Sequence, residues 1–496
     1  MAVLTPQVPM RAEARWETFR DDRTSRASLN SVTTRLAIFA GVAFICLFWG
    51  YAVVVSEWKA VIVGVALIAS VLILVDFRIG VVLLVLLMPI SASKIFPHQI
   101  GGITGLNPVN LLLVATLGSY ILHALLDRSI GRFIPRPLLL LYAVPFLIAG
   151  FLGTRHVGEI SLYFVLTEHV KFVDSLGYLR DLVIKPLLLV FFAVLVAAAV
   201  ARMQRPEKLL GPFIVSVWVM GLMVVVYFVL SGANLAQLAS SREREFLSPL
   251  GLHANELGRM YAIVYALLLF TWSQTRDYAL KLTLLASIGV VVLALVLTFS
   301  RGGFVGFMLV SVLFLISRRH IGSLLVTAVV AAAALYFLPD AIYHRVTTGV
   351  GMGANAVSAG RIDNIWMPLI PDLLKSPFYG QGIGAMLWSD AVRGGKSLLV
   401  THPHSAYLQT VLDMGLIGLA LIGAYFFHLW RGFRALGADL SLNASERGFF
   451  RGAAAALLAF LIMGFADGSF TPAPEQAFLW LAVGMMYGER ARRAAS

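Results

Sequence analysis

One cysteine, Cys46, stands among 496 residues, in an apolar stretch. That count excludes a disulfide framework and a thiolate metal site. Charge is scarce as well. Asp, Glu, Lys and Arg together make 13% of the chain, about half of the roughly 25% usual in soluble domains. No Walker-type sequence is present, so the energy for any reaction must arrive with the substrate. The first 34 residues hold Arg11, Arg15, Arg20, Arg23 and Arg26 but no apolar run or small-residue cleavage site. They do not read as a secretory signal peptide, and a disordered cytoplasmic tail over 1–34 is expected.

Apolar residues dominate what remains: 59% are hydrophobic and the mean hydropathy is +0.85. A soluble fold of this length has no interior large enough to hide them. Crossing a bilayer takes about 20 apolar residues, and runs of that kind fall at 35–55, 58–76, 78–96, 107–126, 137–154, 181–201, 209–231, 259–273, 281–299, 303–317, 321–338, 404–430, 449–467 and 474–489. The expected architecture is all-α, a polytopic transmembrane helical bundle of about 12–14 spans in one membrane domain over 35–490. A cytoplasmic tail, 491–496, ends the chain.

Lys and Arg favour the cytoplasmic side of short loops. With the N-terminus inside, the basic clusters at Arg128, Arg132 and Arg136, at Arg202, Arg205 and Lys208, and at Arg490, Arg492 and Arg493 all fall on the inner face. The formal net charge of +13 is then topological and gives no support to nucleic-acid binding. The same topology places every long connection on the outer face: 91–107, 154–180, 232–258 and, before the third-last span, 339–403. The working face is therefore expected to be extracytoplasmic.

Cations recur on that face. Arg301 precedes Gly302 and Gly303 in a tight connection, where bare backbone and a helix start favour an anion; an anchor that snorkels to headgroups is the alternative. Arg361 opens an amphipathic piece in which Ile362, Ile365 and Trp366 fit helical spacing, with an Arg361 to Asp363 or Asp390 surface pair as the alternative. Arg180 and Lys185 mark the outer end of a span, and Asp181 to Lys185 has the spacing of an intrahelical pair. Arg242 and Arg244 share a loop with acidic residues and read as solvated pairs, whereas Arg259 begins a span. His402 and His404 flank Pro403, which suits the first turn of the next helix, and a neutral imidazole there accepts a proton near pH 7. No carboxylate is near this His-x-His in sequence, so no metal site is expected.

Taken in order, His253-Ala254-Asn255-Glu256-Leu257, Ser300-Arg301-Gly302, Gly360-Arg361 to Trp366, Ser376-Pro377-Phe378-Tyr379-Gly380-Gln381-Gly382-Ile383-Gly384, His402-Pro403-His404-Ser405-Ala406-Tyr407-Leu408-Gln409 and Gly415-Leu416-Ile417-Gly418 resemble the O-antigen ligase and polymerase superfamily over about 253–430. Ser405 departs from it, since an Asn after the histidine is common there. The resemblance implies a bacterial inner-membrane, GT-C-like glycosyltransferase without a cofactor, working on the periplasmic face among membrane lipids. Its donor would be an undecaprenyl-pyrophosphate-linked glycan and its acceptor a glycan or lipid A-core, with a chain-length regulator as a further partner. In that reading His404 or His402 is the base, and Arg301 and Arg361, with Arg180 or Arg259 helping, hold the pyrophosphate. In the same reading Trp366, Tyr379 and Trp388 stack on sugar faces, with simple interfacial anchoring as the alternative. Ser405 tilts the reading to a repeat-unit polymerase over a ligase. A flippase or other transporter is the competing class, disfavoured because the polar residues gather at one face and no internal repeat is evident.

Overall fold

The structure, a computed structural model, describes residues 68–96, 99–100, 103–104, 107–126, 134–233, 243–318 and 351–495. The expected tail 1–34, the spans 35–55 and 321–338, most of 58–76 and the stretch 339–350 lie outside the described residues. The chain divides into two units, Met1–Leu72 and Ile73–Ser496. Of the first, residues 68–72 are described, as helix.

Helices account for most of the described residues of the second unit: α1 Phe77–Leu87, α2 Pro108–Leu126, α3 Arg136–Glu159, α4 Ser175–Arg202, α5 Pro206–Ser231, α6 Ala254–Gln274, α7 Tyr278–Thr298, α8 Arg301–Arg318, α9 Met367–Lys375, α10 Ala406–Ala438, α11 Ala444–Met463 and α12 Ala477–Ala495. Among the described residues the strands are one antiparallel pair, Gln99–Ile100 with Ile103–Thr104. Among the described residues six helices, α2, α3, α4, α5, α7 and α10, are long and apolar enough to cross a membrane, and Phe77–Ile90 and Arg301–Ser317 are shorter apolar helices. The all-α, polytopic membrane architecture expected from composition is the one observed.

Close contact between α6 and α11, and between α4 and α12, fixes the centre of the bundle. Lipid removes the hydrophobic drive between helices, so small residues that let backbones approach do much of the holding. A Cβ on Gly448 or Gly452 of α11 would lie 2.7 Å from the Phe270 carbonyl oxygen or 2.6 Å from that of Ala266, both on α6. Gly484 and Gly488 of α12 repeat the device against Ala193 and Ala197 of α4, at 2.5 and 2.6 Å.

Two features set up the site. First, α11 stops at Met463, short of the expected 467, and α12 starts at Ala477, not at 474. Gly468 at φ +101°, with Pro472 and Pro474, breaks the helical course, so 464–473 becomes a polar connection. Second, α10 is kinked at Gly415, whose φ of 69° and ψ of −174° are not helical. Backbone from the 376–384 loop fills the kink: Gln381 and Gly382 N–H donate to the Leu412 and Asp413 carbonyls (2.9 Å each), and Leu416 N–H donates to the Pro377 carbonyl (2.8 Å). The buried Asp413 carboxylate accepts from the Gly384 and Ala385 amides at 3.1 and 3.0 Å. The expected outer loop is thus folded over its described part, with Ile365, Leu369 and Trp388 buried.

Candidate active site

His404 is placed by its neighbours on both sides. Ser405 caps α10, its hydroxyl accepting from the Leu408 amide at 3.4 Å. The helix therefore begins after Ser405, and Pro403 stands before the cap, outside the first turn where it was expected; a serine oxygen can satisfy a free helix amide and a proline cannot. His404 itself adopts φ +54°, a left-handed backbone that costs a non-glycine residue energy and is held only by surrounding structure. That structure is specific. Trp366 Nε1–H donates to the Pro403 carbonyl at 2.8 Å, the Ala406 amide donates to the Gly464 carbonyl at 2.8 Å, and the Tyr407 hydroxyl donates to the Leu461 carbonyl at 3.0 Å.

The last two bonds bring the 464–473 connection against the histidines, and with it Asp467. Its Oδ1 is 3.2 Å from His404 Nδ1 and 4.0 Å from His402 Nε2. The same Oδ1 accepts from the Gly468 amide at 2.9 Å, while Oδ2 accepts from the Asn255 side-chain amide at 2.7 Å. Arg259 Nη1 lies 3.6 Å from Oδ2, and its Nη2 donates to Glu475 at 3.3 Å. Arg361 donates through Nη1 to the Ala466 carbonyl. The expectation that the His-x-His has no carboxylate beside it is corrected here: the partner lies 63 residues on, and folding of α10 against α11 delivers it.

Burial alone would raise the Asp467 pKa. The His404 bond and the charges of Arg259, His404 and Arg361 outweigh it and hold the carboxyl well below the usual range. Burial, then the adjacent His404, pushes His402 down to about 4. The two imidazole centroids are 4.2 Å apart. Donor atoms of His402, His404 and Asp467 all lie within 4.8 Å of one another, a spacing compatible with a metal. The rest of the surroundings fit one poorly, because Asp467 already serves Asn255 and Gly468 and stands beside two guanidinium groups.

Three of the four predicted arginines converge. Arg259 is buried, and Arg361 feels the charges of Asp467, Arg301 and Arg259. Arg301 begins α8, where the Ser300 hydroxyl accepts from the Gly303 amide at 3.1 Å. Its buried Nε has no partner among the described residues. Gly303 serves packing more than anion access: a Cβ there would meet Gly258 Cα of α6 at 2.9 Å. Arg244, half-buried, lies within reach of the charges of Arg301 and His253. The fourth, Arg180, does not join. Its Nε and Nη2 donate to Asp181, at 2.9 and 3.0 Å, which holds the guanidinium there. Lys185 reaches the same carboxylate at 2.6 Å, as its spacing implied. The alternative pairing of Arg361 is not adopted, since Asp390 is taken by Lys375 and Arg393.

Of the aromatic residues, Trp366 is half-buried and positions the histidine loop. Tyr379 is exposed beside the kink of α10. Trp388 is corrected as a sugar platform: it is 2% exposed, with its ring stacked on His156 at 5.4 Å, so no face is open to a glycan.

His402, His404, Asp467, Arg259 and Glu475 line one cavity of about 1020 Å³, together with His253, Asn255 and Glu256. Asp467, Asn255 and Glu475 were missed in the sequence, and no spacing signal ties them to the histidines.

No curated protein matches the chain. Residues 283–423 match the family described as O-antigen ligase, a stretch that holds Arg301, Arg361 and both histidines and stops short of Asp467. The resemblance first drawn from scattered motifs thus rests on a domain match over 283–423, which supports a polysaccharide-related membrane enzyme.

Proposed function

We propose that this enzyme transfers a glycan from a polyprenyl-pyrophosphate donor, undecaprenyl in bacteria, to an acceptor hydroxyl on the periplasmic face of the inner membrane. The observation that carries the reading is the His404–Asp467 pair, 3.2 Å apart, within reach of the charges of Arg259 and Arg361, with Arg301 in turn near Arg361. If His404 Nδ1–H donates to the ionised Asp467, Nε2 keeps its lone pair. It then removes the acceptor hydroxyl proton as that oxygen bonds to the anomeric carbon. The bond from the anomeric carbon to the pyrophosphate oxygen breaks, and the departing polyprenyl pyrophosphate takes the bonding electrons. Guanidinium groups fixed in place meet the growing negative charge without rearranging. The same groups argue for a metal-independent reaction, in which added chelator leaves the rate unchanged.

Polymerisation and ligation differ in acceptor alone. The tilt to polymerase came from Ser405, but Ser and Asn are equivalent helix caps, so that residue does not separate the two. Cell-envelope glycans on a gel decide, from a deletion strain complemented with wild type or His404→Ala. Loss of long chains with single units still reaching their acceptor means polymerase. Full-length chains left on the carrier mean ligase, and normal output from the deletion strain refutes both.

A further inference from the structure

The 1020 Å³ cavity has further cations in its lining. Lys94, Lys171 and Lys185 line it along with the histidines, Asp467 and Arg259, yet they belong to three other segments of the chain and have no part in the arginine cluster. Each is held by a fixed backbone. Lys94 follows the fully buried Ser93, and its amide donates to the Pro249 carbonyl at 2.8 Å. That segment is pressed so close to Gly251 that a Cβ there would lie 1.7 Å from the Ala92 oxygen. Lys171 sits between the buried Val170 and Phe172; the Val170 amide donates to the Phe164 carbonyl at 3.1 Å, and the Phe172 ring packs edge-on to Tyr178 at 5.6 Å. Lys185 follows the π-turn Leu179–Ile184, a distortion frequent at functional sites.

Among the described residues, Lys94 and Lys171 have no carboxylate partner, and Lys185 shares the carboxylate of Asp181 with Arg180. The three lysines therefore bring uncompensated positive charge to the cavity lining, with Lys94 and Lys171 exposed.

We propose that Lys94, Lys171 and Lys185 form a second anion subsite, which holds the phosphate group of a lipid-borne acceptor. This assignment rests on the glycosyl-transfer reading. A donor reacts at the carbon that bears its pyrophosphate, so its anion must lie beside the base, where the arginines are. An acceptor reacts at a hydroxyl one or more sugars away from its own anionic anchor. Both anions then occupy one cavity at separate places, and its lining holds Arg259 beside the histidines and the three lysines on other segments. A repeat unit on a polyprenyl pyrophosphate and a phosphorylated lipid A-core both satisfy this chemistry.

Inorganic pyrophosphate titrated calorimetrically into the full chain, in phosphatidylcholine nanodiscs, tests it. Two binding events are expected. Replacing all three lysines with alanine should weaken one of them about a hundredfold, as loss of several charge-assisted contacts would, and the triple arginine variant should keep it. A single event in the wild type, or two unchanged events in the triple alanine variant, overturns the subsite. So does loss of the lysine event when phosphatidylglycerol replaces phosphatidylcholine, which would assign the lysines to a bulk lipid headgroup. Arg361→Ala reports on the other event, and its failure to weaken that event counts against the donor reading and not against this one.

Discussion

At the scale of single residues, the His404–Asp467 contact makes the sharpest claims. His404→Ala should lower transfer by about 10²–10⁴-fold, the usual contribution of a general base, with the protein still inserted and folded; activity within a few-fold of wild type would move the base to His402. Asp467→Asn keeps the shape and removes the charge that selects the tautomer. It should lower kcat and leave donor KM nearly unchanged in a radiolabelled-glycan assay. His402 and Asp467 each contribute to the pH dependence of stability. Folded His402 titrates at about 4 against 6.5 for the free group, so between those values the unfolded chain binds more protons and stability rises with pH. Asp467 is lowered in the fold from 3.8, so its contribution is present above that value and is lost as pH falls further. The gap in unfolding midpoint between wild type and His402→Ala should shift in favour of wild type from pH 4 to 6.5; parallel curves would show that the ring is not depressed.

At the scale of elements, α10 and its contacts explain why some of the site is legible in the sequence and some is not. Arg361, Trp366, His402 and His404 could be singled out because each stands in a short local pattern at a helix start. Asp467 has no such mark. It becomes a partner through the α10–α11 turn-back and through the early end of α11, whose apolar run continues in sequence past the point where the helix stops. Trp388 misled for the opposite reason, since an aromatic in a polar segment reads as interfacial until the segment is seen to fold inward. The 376–384 and 415–418 motifs prove to be the two halves of one interlock. Asp413→Ala should leave the Gly384 and Ala385 amides unsatisfied and cost about 1–3 kcal/mol for each buried group. Ser405→Ala should cost about 1 kcal/mol and Ser405→Asn nearly nothing. Thermal unfolding of the three variants in one detergent ranks them, and an Asn variant as weak as the Ala variant would refute the capping role.

At the scale of the whole molecule, the fold class was readable from composition because a lipid-facing surface and a helical interior are both apolar. Which helices become central was not. The α6, α11 and α12 helices carry charged residues and look like the poorer spans, yet they form the bundle's middle, joined through glycine contacts that hydropathy does not register. Orientation is an expectation from the basic clusters. With Cys46 replaced by serine, Lys396→Cys should react with a membrane-impermeant maleimide on intact cells and Leu440→Cys should react only after lysis. The reverse pattern would invert the topology and place the site on the wrong face for a periplasmic reaction.

The base and its carboxylate sit on opposite arms of a helical hairpin whose bend, at Asp439–Asn443, exposes Leu440 at 84%. The enzyme is in effect divisible there. Fragments 1–440 and 441–496 would each carry half of the dyad, and neither would transfer sugar alone. Glycine seams join α11 to α6 and α12 to α4, so the shorter piece has docking faces of its own, and activity regained on co-expression would report directly that the two had met in the membrane.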